Sequence, residues 1–419
     1  MSSHDTTPSA ESNSTEAPEP RPPHESYGKL FLRFLHFGAL AWGGPVAQIA
    51  MLKAELVERE RWVSPARFNR VLAVYQVLPG PEAHELCVYF GMLARGRLGG
   101  LLAGLGFMLP GFVLMLALSW AYLRYGLASP NLVAVFGAVQ AAVGALIVRA
   151  VVRIGGHALA NRWLWGVAAG AALAQVAGVH FAFTLVAAGV VYLLARQGGR
   201  VPALILAGSC AVVLGVLLVR QGLSSEAAAP LVGGTEAAVA TQGRPSLLML
   251  AWSGLRSGLL TFGGAYTVIP FLQRDAVVLG GWMTNAQFLD GLALSGILPA
   301  PLIIFSTFVG YLGGGLAGAL ALTAAIFAPA FAFTLLGHDF FERVLHQPRV
   351  RLFLDGVTAG VVGLIAATAV GLLRTSLTGP VTLGVFALAL AALFRWHAKL
   401  LIPLVIAGAA LAGLLFQAR

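Results

Sequence analysis

"LAWGGPVAQIAML", Leu40 to Leu52, is apolar enough for a membrane-spanning helix, yet Gly43, Gly44 and Pro45 sit in its middle. A glycine pair followed by proline interrupts a helix rather than continuing it. The same phrase returns as "LLTFGGAYTVIPFL", Leu259 to Leu272. At an offset of 220 residues the match runs without a gap from Gly38–Pro81 to Gly258–Pro301. It pairs Gly43 with Gly263, Gly44 with Gly264, Trp62 with Trp282, Phe68 with Phe288, Pro79 with Pro299 and Pro81 with Pro301. Glu55 falls on Asp275 and Ser64 on Thr284. One residue out of step the match resumes, with Gly91 on Gly310 and Pro110 on Pro329. Apolar composition repeats Leu and Ala by chance, but not Gly-Gly, Trp and Pro-x-Pro at constant spacing. The chain is an internal duplication.

The surroundings of these phrases fix the class. Of 419 residues, 58% are hydrophobic and 11% charged, and the mean hydropathy is +0.82. Soluble domains carry about 25% charged residues, so the composition is that of a polytopic helical membrane protein. The net charge of +10 does not point to nucleic acid, because the 27 Lys and Arg stand as ones and twos at the ends of apolar segments. Cys87 and Cys210 lie in apolar segments without a CxxC partner and read as small core residues, not as disulfide or metal ligands.

Four units follow: a polar, proline-rich and disordered cytoplasmic tail over 1–27, a first repeat over 28–219, a Ser/Ala/Gly-rich linker over 220–245 and a second repeat over 246–419. Apolar segments are expected at 99–123, 131–152, 163–178, 180–195 and 201–219, then at 316–341, 352–373, 379–394 and 399–417. The stretch 163–195 is too long for one span and divides near Gly178–His180. Each repeat also opens with two broken segments, 30–56 and 70–94 in the first, interrupted at Gly43–Pro45 and at "LPGP", Leu78 to Pro81. Their counterparts break at Gly263–Gly264 and at "LPAP", Leu298 to Pro301.

Such segments either cross with an unwound middle or enter and leave by one side. Re-entrance moves Lys53, Arg59, Arg61, Arg67 and Arg70 to the cytoplasmic side, which the positive-inside rule favours. Depending on that choice the fold is all-α with about nine to thirteen membrane-crossing segments. An odd number of crossings before the second copy makes the two repeats inverted, a common build of secondary transporters.

Unpaired backbone groups are costly in hydrocarbon, so a broken helix needs protein or a water-filled cavity around it. A half-helix beginning after Gly44 or Pro81 offers free N–H groups and the positive end of its dipole, and four such ends near the midplane make a nest for a small oxyanion. The plainer alternative is close helix packing at Gly-Gly and a kink at proline.

Among side chains, Arg256 precedes the second break as His36 precedes the first, and either can face an anion; Arg256 can also snorkel to the interface. Glu82 and His84 directly follow Pro-Gly-Pro and are candidates for a coupled proton. The competing readings are a helix-start acid for Glu82 and a packed ring for His84. Arg149 reads as an interfacial anchor, Trp62 and Trp282 as belt residues, and Arg274 and Asp275 as internally paired. No Walker A, GxSxG, HExxH or metal-spaced cluster occurs, so an enzyme, a resident cofactor and ATP hydrolysis on this chain are not expected.

"FGALAWGGPVAQIAMLKAELVERERWVSPARF", "LPGPEAHELCVYFG" and "GLLTFGGAYTVIPFLQRDAVVLGGWMTNAQFLDGLALSGILPAPLIIFSTFVGYLGG" resemble the two halves of a chromate transporter of the long-chain, two-domain class. The resemblance spans residues 28–418 apart from the linker. It implies a bacterial inner-membrane exporter that confers chromate resistance, with antiparallel halves, partnered by chromate or a similar oxyanion and by lipid. Homo-oligomers are left open. The family positions carried over are Gly43, Gly44, Pro45 and Gln48; Pro79, Gly80, Pro81 and Glu82; and Gly263, Gly264, Pro299 and Pro301. This chain departs from the pattern at Trp42, where phenylalanine is usual, and in "EAHEL", where "EAQQL" is expected. The resemblance therefore assigns no role to His84 or Glu85.

Overall fold

Serine caps open both repeats. Ser26 accepts a hydrogen bond from the Lys29 amide at 3.3 Å and starts α1, Tyr27–Ala39. Ser246 accepts from the Met249 amide at 3.2 Å and starts the corresponding helix, α8, Leu247–Leu259. A capping side chain satisfies one of the amides that a helix start leaves free, so equivalent caps set equivalent helix starts. The structure is a computed structural model. It describes residues 20, 22–42, 44–76, 78–125, 130–198, 208, 244–262, 265–345, 347–396 and 400–417. Gly43, Gly263 and Gly264, most of the tail, nearly all of the linker, Cys210 and, apart from residue 208, the segment expected at 201–219 lie outside the described residues.

Each half then builds two helical hairpins. In the first, α2 (Gly44–Leu52) runs on through a wider π-turn, Lys53–Arg59, and returns antiparallel to α1. Arg33 of α1 reaches Glu60 at 2.6 Å, so residues far apart in sequence meet at the hairpin's base. α3 (Pro65–Tyr75) is capped by Ser64 and packs antiparallel on the first part of α4 (Glu82–Tyr125). Arg67 Nε donates to Tyr89 Oη at 3.0 Å, and the rings of Phe68 and Phe90 stack at 6.3 Å.

α4 reverses at Arg95–Gly96, where Gly96 holds φ 64°, a conformation that glycine adopts without a Cβ clash. Residues 97–125 then form a helix long enough to cross the roughly 30 Å hydrocarbon core. α5 (Pro130–Ala158), α6 (Arg162–Val176) and α7 (Phe181–Leu193) follow. The division expected near Gly178–His180 is there, with His180 Nδ1 accepting from the Ala182 amide at 3.3 Å.

The second half repeats the pattern. After α8 come a short 3-10 turn, α9 (Ile269–Gln273) and a π-turn, Arg274–Leu279. α10 (Asn285–Gly296) starts on a Thr284 cap equivalent to Ser64. α11 (Ser306–Leu345) turns at Gly314–Gly315 with φ 60° at Gly315, matching Arg95–Gly96. α12 (Pro348–Ser376), α13 (Pro380–Arg395) and α14 (Leu401–Gln417) complete the chain.

The two halves meet along α4 and α11. A Cβ added at Gly100 would come 2.6 Å from Leu335 Cδ2, and one at Gly104 would strike the Phe331 ring. Ascending residues of one helix face descending residues of the other, so the two run antiparallel. Four helical stretches among the described residues, 82–125, 134–158, 302–337 and 348–376, are long and apolar enough to cross a membrane. The protein is an all-α, multi-pass membrane protein with internal symmetry.

One expectation about the aromatic residues is corrected. Trp62 is no belt residue: it is fully buried, edge-on to Phe90, with Nε1 donating to Glu60 at 2.8 Å. Trp282 is partly buried, and its Nε1 donates to the Val309 carbonyl at 3.3 Å. Both close a hairpin base against the following helix. Cys87 is a free, buried thiol in the core of the first half.

Candidate functional site

The hairpin tips are the broken segments, and their backbones are drawn alike. Ala41 N–H donates to Gly38 O and Trp42 N–H to Leu40 O at 3.3 and 2.8 Å. Thr261 and Phe262 make the equivalent bonds to Gly258 and Leu260 at 3.3 and 3.1 Å. Gly44, at the start of α2, has φ 78°. Buried Gln48 reaches back and donates from Nε2 to the Ala41 carbonyl at 2.9 Å, tying the tip to its own returning helix. Pro45 is half-buried beside Gly44, while Pro79, Gly80, Pro81, Pro299 and Pro301 are buried.

The tips of opposite halves meet. Gly80 N–H, in the Pro-x-Pro break of the first half, donates to Thr261 O, in the glycine break of the second, at 2.9 Å. The reciprocal pair encloses a cavity of about 40 Å³ lined by Gly44 from the first half and by Tyr266, Ser295, Leu298 and Ala300 from the second. That space is about the size of a few waters. The crossing helices come close at these points: Gly111 of α4 lies against Ala300, and Ala330 of α11 lies against Gly80.

α5 forms one wall of the cavity through Val143, Leu146 and Ile147. Leu146, Arg149 and Arg153 are spaced by three and four residues and share one helix face. Arg149 and Arg153 both lie within electrostatic reach of Tyr266, which lines the cavity, and Arg153 within reach of Glu82. Arg149 stands on the same face of α5 as the cavity-lining Leu146, one turn further along. The sequence signal was present as two cations one turn apart inside an apolar helix.

The other expected residues separate. The Arg256 guanidinium is ion-paired with Asp275, which also accepts from Ser253 Oγ at 2.6 Å, and lies 5.2 Å from the Phe181 ring centre. Arg274 reaches the Val179 carbonyl at 3.4 Å. His36 is on the exposed side of α1. Glu82 begins the helical arm after Pro81, with Oε2 buried and without a hydrogen-bond partner. The His84 ring is fully buried between Phe327 and Phe331 of the other half, with ring centres 4.9 and 4.7 Å away.

Comparisons with known proteins agree with this architecture. The profile of the family described as Chromate transporter matches residues 28–213 and 248–414, one match in each half. A chromate transport protein of Pseudomonas aeruginosa is 56% identical over 94% of this chain and 93% of its own. A probable chromate transport protein of Synechococcus elongatus is 34% identical over 95% and 97%, and a chromate transport protein of Cupriavidus metallidurans 32% identical over 92% of each. No solved structure matches the chain. The chain is a membrane transporter, not an enzyme, and belongs to the chromate transporter family.

Proposed function

We propose that the chain exports chromate from the cytoplasm as a secondary transporter of the bacterial inner membrane, with the anion held where the four hairpin tips meet. The observation that supports this reading is the direct bond from Gly80 to Thr261, because it joins breaks of opposite halves. The positive ends of the helices that start at the breaks and a guanidinium on α5 supply positive potential for a tetrahedral dianion. The hairpins enter from opposite faces as re-entrant pairs, so the repeats 28–219 and 246–419, joined by 220–245, are inverted in the membrane. Parting the tips of one half opens the cavity to one side, and parting those of the other half opens it to the other.

The driving force is electrical. An inside-negative potential of about 100 mV is worth roughly 2.3 kcal/mol per charge, and a dianion leaving the cell gains roughly twice that. Chromate uptake into everted vesicles under an imposed potential, with sulfate as competitor, tests the proposal. Uptake that persists in equimolar sulfate supports chromate as the substrate. Uptake abolished by it makes the protein a general oxyanion carrier, and no uptake overturns transport of either anion.

A further inference from the structure

Glu85 is a carboxyl beside the Gly80 tip that the proposed anion site does not use. It is fully buried, and neither carboxyl oxygen has a hydrogen-bond partner. Its carboxyl group lies over the Cα of Gly80, so close that a Cβ added there would come 2.8 Å from Oε1. A side chain at position 80 would displace it. The amide of that same glycine makes the bond to Thr261 O that joins the two halves. At the corresponding place in the second half the chain has Ile304 and Phe305, so the arrangement exists once per molecule.

A bare carboxylate buried without donors is costly enough that the group neutralises instead. With the tips joined, Glu85 therefore holds its proton. The groups around it supply no counter-charge. On its own arm stand Glu82, one turn back, and His84. α11 offers Phe327 and Phe331 to the His84 ring and Ala330 to Gly80. The turn after α8 contributes the Thr261 carbonyl, and Arg153 of α5 is the cation within electrostatic reach of Glu82 on this arm. An ionised Glu85 needs a donor, and the Gly80 amide beside it becomes free only by leaving Thr261.

We propose that Glu85 is a proton-controlled latch between the halves: the joined tips keep a proton on its carboxyl, and the parted tips release it to cavity water. By linkage the joined state binds one more proton than the parted one, so acid favours joining and alkali favours parting. The inference deepens the transport reading and rests on it for its role in the cycle, since each passage of an anion then moves a proton on and off Glu85.

Amide hydrogen exchange of the protein in lipid nanodiscs tests the latch without transport. The readout is protection of peptides covering 76–86, corrected for the intrinsic pH dependence of exchange. For the wild type, protection is expected to fall by up to about tenfold per pH unit from mildly acid to alkaline buffer. Glu85→Gln, which keeps the shape of the neutral acid, is expected to stay protected throughout. An identical pH response in Glu85→Gln overturns the latch. So does a wild type whose protection does not change, a result that stands even if the variant fails to insert. Chromate uptake separates this from the transport reading. No uptake with the pH response intact sinks transport alone, whereas uptake in a protein without the response sinks the latch alone.

Discussion

The Gly80 amide donates to the Thr261 carbonyl across the boundary between the two halves, 2.9 Å from nitrogen to oxygen. One residue belongs to a Pro-x-Pro break and the other to a glycine break, so two sequence features of different kind end at a single bond. A backbone pair of this sort is satisfied only while both tips are in place, and buried backbone groups left unpaired are costly. The two breaks are therefore mutual partners across the boundary between the halves.

Arg149 is expected to matter more to transport than Arg256. Arg149→Gln removes a cation beside the cavity and should lower the initial rate of chromate uptake by at least about tenfold, the equivalent of 1.4 kcal/mol. Arg149→Lys keeps the charge but loses the fork of donors, and should fall between the two. Vesicle uptake normalised to inserted protein checks both, and an unimpaired Arg149→Gln rejects the role.

Arg256 and Asp275 hold α8 to the returning chain of its hairpin. Removing the arginine charge alone leaves buried Asp275 uncompensated, at a cost of about 3 kcal/mol. The double variant Arg256→Gln with Asp275→Asn should recover part of that loss in thermal unfolding of the detergent-solubilised protein. If Arg256→Gln instead melts normally and fails to transport, the residue faces the anion rather than the hairpin.

Close packing at the start of each repeat makes two glycines sensitive at equivalent places. A methyl at Gly38 would strike the Phe107 carbonyl, and one at Gly258 the Ile326 carbonyl. Gly38→Ala and Gly258→Ala should each destabilise by about 1–3 kcal/mol. Gly28→Ala, where nothing lies within 4 Å of the added carbon, should not. Melting temperatures of the three variants compare them directly.

Inverted re-entrant hairpins put their bases on opposite faces of the membrane. Arg59 and Leu279 close equivalent π-turns, and their side chains are exposed. Arg59→Cys should react with an impermeant maleimide only from the cytoplasmic side, and Leu279→Cys only from the periplasmic side, in a background without the native thiols. Labelling of both from one face contradicts the inversion.

Much of this architecture is written locally. Ser26, Ser64, Ser246 and Thr284 cap helices at matched places, and glycine and proline interrupt them where the amide or the torsion demands it. Local signals thus marked the breaks and nearly every helix after them. Partnership across the fold was less visible. Arg256 finds Asp275 only once the hairpin closes, and the Arg149 face of α5 comes to the cavity only because Leu146 packs there with Tyr266. A lone arginine in an apolar helix reads equally well as an anchor, because snorkelling and facing a cavity need the same residue. Trp62 misled for a similar reason: its indole N–H is satisfied by Glu60 rather than by the lipid interface.

The account stands most directly on where the anion sits. An experimental map of the protein with chromate bound locates chromium by its anomalous signal or density. The account predicts chromium between the tips, beside Gly44, Tyr266 and Ala300 and on the Arg149 face of α5, in a cavity wider than about 40 Å³. Chromium bound at Arg256 or His36, with the Gly80–Thr261 bond intact and the tip cavity empty, would contradict it.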